Sequence, residues 1–449
     1  MSLNIVQPGA TRQLADFVVD TNYSDLPQAA LDAGRRSLVN FLGVTIGGAH
    51  HMEVSSSLKA LQRLGLRGDV PLLGRTERID ATSAAFLNGI SSAVLDFDST
   101  QMKRTNIHPS GPVLPALLAF SHHRQIRGQD FIAAFVLGVE VACRIANGVF
   151  GETNPGWHVT GVTGGIGAAA AVAKLLELDA GKTVMAMSIA ANQSSGLREM
   201  YGTACKALTP GRAARDGLVS AMLAAEGVSA PERPIEGRKG LAMVLTGREA
   251  PHSLTRDLGN GYEIELNVFK PYPCAIVTHA VIDGVSSLCT ANNIAPADIV
   301  QVELAVAPIA AELAGHAEPR SELQSKFSLT HAAAVAATYR VARVENFSQE
   351  AVDDPDLAAL RRKVDVKTQT GFRKNEALVL IRTSDENVHS VHIEHALGSL
   401  EHPMSDEDIA AKFLALVDPV LGGHGARLLL DRATNLHDSS DASSLASTA

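Results

Sequence analysis

Aromatic residues are scarce in this 449-residue chain, at 4% with a single tryptophan. Sheets packed around large rings are therefore disfavoured, and a hydrophobic fraction of 46%, mostly Ala, Leu and Val, favours close-packed helices of small residues. Cysteine is also rare. Cys143, Cys205, Cys274 and Cys289 are widely spaced without a C-x-x-C pair, which fits a reducing compartment and argues against a thiolate-held zinc or iron–sulfur cluster. Basic blocks are missing and the formal net charge is −9, so no electrostatic footprint for nucleic acid is present. The opening MSLNIVQPGATRQL lacks a basic segment followed by a long apolar one, and the most apolar stretch, FIAAFVLGVEVACRIANGVF, contains Glu140 and Arg144. A soluble, cytoplasmic protein with no membrane or nucleic-acid partner is expected.

The length exceeds what one hydrophobic core usually fills, so two domains are expected. The first 260 or so residues read as successive helices, such as DLPQAALDAGRRSLVNFLGV, with Asp25 and Pro27 near its start. The texture changes after Gly259. IVQVELAV (299–306) alternates apolar and polar, and ALVLIRTSDENVHSVHIEH reads as a hairpin turning at SDEN. Helical character returns in PMSDEDIAAKFLALVDPVLG, where Ser405 can cap a helix. The expected fold is mainly α with an inserted α+β domain: an all-helical domain from 1–267 and 401–436, an α+β lid over 268–400, and a disordered tail at 437–449.

LDFDSTQMKRTNIHPSGPVLPALLAF (95–120) crowds acids, hydroxyls and a histidine before an apolar run. Such a cluster serves either a helix cap or proton transfer. GWHVTGVTGGIGAAAAVAKLL (156–176) is glycine-rich, but no buried strand precedes it and its spacing is not G-x-G-x-x-G, so close helix approach is favoured over a dinucleotide site. His158 in that stretch can equally be a structural imidazole. Lys206 in YGTACKALTPGRAARDG can reach solvent or bind a carboxylate. FKPYPCAIVTH (269–279) sets Lys270 in a rigid segment at the inferred domain junction, where clefts tend to form. His389, His392 and His395 are three apart, which on a strand turns successive rings to opposite faces and disfavours a metal site.

In order and spacing, LDFDST…HPSGPVLPALLAF, the GWH segment, CKALTPGRAARDG and FKPYPC…TH resemble the MmgE/PrpD family, over about residues 10 to 420. That family includes 2-methylcitrate dehydratase, cis-aconitate decarboxylase and iminodisuccinate epimerase. The resemblance implies a helical domain assembled from both chain ends, a smaller α+β lid, a cleft between them and a homodimer. It places catalytic residues at Asp96, His108, His158, Lys206 and Lys270, and substrate-binding residues at Thr100, Lys206 and Lys270. One departure stands out: Ala275 and Ile276 occupy places where relatives carry a histidine or a Cys-Arg pair. A cationic contact is missing there, for which His316 or His331 are the candidate substitutes.

The expected chemistry is cofactor-independent and metal-free: a dehydratase or decarboxylase acting on a small di- or tricarboxylate. Carboxylates would rest on Lys206 and Lys270, His108 and His158 would serve as acid and base tuned near neutrality, Asp96 would orient one histidine, and Thr100 would donate a hydrogen bond. Epimerisation of an iminodisuccinate-like dicarboxylate and a non-catalytic carboxylate-binding dimer are the alternatives.

Overall fold

The computed structural model describes residues 8–446 except 152, 153 and 155, so the first seven residues of the opening segment lie outside it. Two hydrophobic cores organise the chain. One draws on Leu14 to Phe269 and again on Met404 to Ala446; the other lies within Cys274 to Ala396. The protein is mainly helical with a small α+β part, as its composition and pattern imply.

The helical unit is held together by close backbone approach. Its long helices include Gln28–Gly47, Ala81–Val94, Gly128–Val149, Val159–Leu175 and Ala204–Ala225. The glycines of GVTGGIG lie inside helix Val159–Leu175. A Cβ on Gly167 would fall 2.4 Å from the carbonyl of Gly138 on one neighbour, and one on Gly217 of the other neighbour would fall 2.6 Å from the carbonyl of Gly165. The absent side chains thus set helix spacing rather than cradle a phosphate. Helix Gly128–Val149 is long and apolar enough to cross a bilayer, yet it is almost wholly buried in protein, with Arg144 paired to Glu140 inside.

Residue Ser405 caps the returning helical stretch Asp406–Thr434 by accepting from the Asp408 amide, and Gly422 breaks that stretch with a φ of 72°. Phe413 and Leu416 of this stretch press on Gly43 and Gly47 of helix Gln28–Gly47. The expected disordered tail is corrected as far as residue 446. Gly128 N donates to Ser439 O (2.9 Å), Ala442 N donates to Ile126 O (2.7 Å), and Ala442 and Leu445 are buried in the helical core. Its small and apolar residues, with Asp441 accepting from the Ser443 amide, supply a dockable turn that a Ser-rich composition conceals. Residues 447–449 lie outside the described residues.

The smaller unit has a four-stranded sheet in the order 364–368, 299–306, 377–383, 388–393, with the first pair parallel and the others antiparallel. Strand Ile299–Val306 and the hairpin fall where alternation puts them. Strand Val364–Thr368 was not foreseen, because only Val364 and Val366 of its five residues carry an apolar alternation, between exposed Asp365 and Lys367. Helices His279–Ala291 and Leu329–Tyr339 supply apolar residues to the same core.

Candidate active site

A minimal ribbon builds the site. Thr100 and Gln101 pair antiparallel with Val268 and Asn267, bringing the acidic loop beside Lys270, far away in sequence. Gln101 also bridges Ile107, which folds the 101–107 loop back and returns His108 to Thr100. The Thr100 hydroxyl and His108 Nδ1 are 3.1 Å apart, and the His108 amide donates to Thr160 Oγ1 at 3.0 Å.

Asp96 stands at the centre. It holds a left-handed φ of 52°, an uncommon conformation for a residue with a side chain, at the turn ending helix Ala81–Val94. Its Oδ1 accepts from Lys206, and Lys270 Nζ donates to its Oδ2 at 2.9 Å and to its carbonyl at 2.8 Å. Burial alone would raise the Asp96 pKa, but Lys206 and Lys270 outweigh it and hold the carboxyl well below its ordinary value. Burial likewise depresses the Lys206 ammonium's pKa, yet the Asp96 charge leaves it raised overall.

Orientation of a histidine falls to Asp98 instead of Asp96. Asp98 Oδ2 lies 3.0 Å from His108 Nδ1, and the Ser99 carbonyl lies 3.1 Å from the same nitrogen. Two acceptors at Nδ1 place a proton there and leave Nε2 as the basic nitrogen. Asp98 is buried, which favours its neutral form, but His108 and then the two lysines bring its pKa to about 2. The second acid of DFD was the readable signal for this residue.

His158 also departs from expectation. It is 3% exposed and, among the described residues, neither of its ring nitrogens has a hydrogen-bond partner. Burial first, then Lys206 and His108, push its pKa down to about 3, so it is neutral and not poised near pH 7. Tyr201 meets its ring edge-on at 5.4 Å. Buried polar atoms without partners are rare in native proteins, and here His158 Nδ1, His158 Nε2 and Asp98 Oδ1 are gathered near Lys206.

A small cavity of about 20 Å³, room for roughly one water, is lined by Asp96 and Lys206 from the helical unit and by Leu323, Lys326 and Phe327 from the smaller one. Gly202 and Phe327 also line an open groove of about 630 Å³, together with Tyr201, Arg198 and His316. His316 therefore lies at the groove, while His331 is buried elsewhere, between Arg361 Nη1 (3.1 Å) and the Asn346 carbonyl (2.9 Å). Ala275 is buried and Ile276 packs against the second core. Burial lowers the His331 pKa to about 4, so that histidine restores no cation.

Two lysines escaped the sequence reading. Lys412 Nζ donates to Asn40 Oδ1 (2.7 Å), Phe97 O (2.8 Å) and Lys270 O (2.9 Å), binding the acidic loop to the Lys270 segment. Lys326 is 0% exposed and reaches the carbonyl of Val94. Nothing local marks either lysine, since each acquires its role from residues hundreds of positions away. Asp69, His122 and His123 have metal-ligand spacing on the surface of the helical unit and line none of this cavity. His392 pairs with Glu376, and His395 lies near Glu394 and Glu401.

The sequence pattern of the MmgE/PrpD N-terminal domain matches residues 12–254, and that of the MmgE/PrpD C-terminal domain matches 272–438. The chain belongs to the MmgE/PrpD family. It is 24% identical to the cis-aconitate decarboxylase-like protein oryM of Aspergillus oryzae, over 97% of this chain and 96% of that one. It is 26% identical to human cis-aconitate decarboxylase, over 82% and 79% of the two chains. The Aspergillus terreus cis-aconitate decarboxylase is 24% identical over 97% and 95%. With this family assignment the protein is a lyase-type enzyme.

Proposed function

We propose that this MmgE/PrpD enzyme dehydrates or decarboxylates a small di- or tricarboxylate without a cofactor or metal. The observation that carries this reading is the Asp96 carboxylate bridging Lys206 and Lys270 beside the Asp98–His108 pair. A carboxylate held by two ammoniums in a buried pocket marks where an anionic ligand can be compensated.

In dehydration, His108 Nε2 takes the proton next to a substrate carboxylate and passes it to the departing β-hydroxyl, which leaves as water. In decarboxylation, a C–C bond breaks, carbon dioxide departs with its carbon, and the remaining electron pair takes a proton that His108 Nε2 has first drawn from solvent. Both routes develop negative charge that Lys206 and Lys270 stabilise. Neutral His158, with both nitrogens unpartnered, hydrogen-bonds substrate and becomes a better proton acceptor as anionic charge enters. The outer groove admits the ligand once Phe327 and the smaller unit move away from Gly202. Assembly as a homodimer belongs to the same reading, and light scattering of the purified protein tests it.

The kinetic test compares wild type with His108→Ala and Lys206→Ala on cis-aconitate, citrate and 2-methylcitrate. General acid–base catalysis contributes on the order of 100-fold or more. Turnover in both variants within about threefold of wild type, far short of that contribution, would contradict the assignment.

A further inference from the structure

The cavity between the two units has an ammonium on each wall. Lys206 comes from the helical unit and Lys326 from the smaller one, and both line the same space. Lys326 Nζ donates to Glu322 Oε1 at 3.0 Å and to the Val94 carbonyl, at the end of helix Ala81–Val94, at 3.3 Å. An ammonium has three N–H groups, so these two bonds leave one donor to spare. Glu322 is itself shared: its Oε1 lies 3.0 Å from His51 Nε2, and His51 also contacts Glu53. The internal anion therefore does not belong to Lys326 alone.

Position matters as much as valence. Ala275 N donates to the Lys326 carbonyl at 2.8 Å, so Lys326 adjoins the segment where Ala275 and Ile276 offer no charge. Each ammonium of the cavity is matched by a carboxylate of the protein, Asp96 for Lys206 and Glu322 for Lys326. A ligand with separated carboxylates can exchange with both. Lys326 is fully buried, so its charge depends on Glu322, and its third N–H is left for a ligand anion.

We propose that Lys326 is a specificity-determining residue that receives the carboxylate of a polycarboxylate ligand farthest from Lys206. The assignment rests on the polycarboxylate reading above. A merely structural Lys326, tying the smaller unit to the Val94 carbonyl, would affect all ligands alike.

Titration calorimetry with cis-aconitate and with citraconate, which has one carboxylate fewer on the same cis-alkene, separates these roles. Wild type is expected to bind cis-aconitate more tightly. Lys326→Met should weaken cis-aconitate by about tenfold or more, the scale of one charged hydrogen bond, while citraconate binding changes little and shows that the site is folded. Lys326→Arg should recover much of the difference. Glu322→Gln, which leaves Lys326 without its internal anion, should tighten cis-aconitate. An equal loss for both ligands, or no loss, overturns the role of Lys326 alone. Weaker cis-aconitate binding in Glu322→Gln also overturns it. Wild type that binds neither ligand overturns this role and the polycarboxylate reading together.

Discussion

Asp98 Oδ2 lies 3.0 Å from His108 Nδ1, while Asp96, two residues earlier, turns its carboxylate to Lys206 and Lys270. The two acids of DFD thus have different partners: one fixes the tautomer of a histidine and the other gathers two cations. The left-handed φ of 52° at Asp96 is part of how the chain directs the pair apart.

Asp98→Asn should lower kcat by about 100-fold or more with a smaller change in KM, because an amide can present its NH₂ to Nδ1 and favour the wrong tautomer. Steady-state kinetics on the substrate that wild type turns over measures this. A shift confined to KM would assign Asp98 to binding.

Buried histidines set an acid limit on stability. His158 and His279 are held neutral, at about 3, by burial first and nearby lysines next. Between that value and the ordinary 6.5 the unfolded chain binds protons that the native one does not, so stability falls as pH drops through this window. Each group contributes a slope of up to about 1.4 kcal/mol per pH unit. Urea unfolding between pH 7 and pH 4 should show His158→Gln with a shallower pH dependence than wild type.

The opposite sign holds at His51. Burial lowers its pKa, but Glu322 and Glu53 outweigh burial and raise it to about 9. Its stabilising contact across the two units is fully present below 6.5 and is lost as pH rises through about 9. Hydrogen exchange near residues 322–327 should accelerate between pH 8 and pH 10 beyond the intrinsic rate increase, and His51→Gln should remove that excess.

Lys412→Met should destabilise the fold by about 3 kcal/mol or more, since three acceptors lose their donor and unsatisfied buried groups cost about 1–3 kcal/mol each. Chemical denaturation measures the loss. Because Lys412 holds Phe97 O and Lys270 O, kcat should also fall in protein that remains folded.

Gly217→Ala should cost about 1–3 kcal/mol through overpacking. Its Cβ would meet backbone, the Gly165 carbonyl, which cannot swing aside like a side chain. The midpoint of urea unfolding should fall without a large change in slope.

Much of this was legible in advance where signals are local or periodic. The 299–306 alternation, the SDEN turn and the Ser405 cap each encode their structure within a few residues. Asp96, Thr100, His108 and Lys270 meet through a ribbon only two residues long, which has no period to detect. Lys326 and Lys412 look like ordinary helical lysines until the distant Val94, Phe97 and Lys270 carbonyls are brought to them. The tail was misjudged on composition, because its few apolar residues count only against the surface they cover.

The most direct measurement is proton NMR of the purified protein with cis-aconitate in deuterium oxide, in the presence of EDTA, followed by citrate and 2-methylcitrate. A new olefinic or decarboxylated product is expected from at least one of them, formed by wild-type protein and suppressed about 100-fold in His108→Ala. Unchanged spectra across all three compounds, or product formed equally by His108→Ala, would contradict the proposed function.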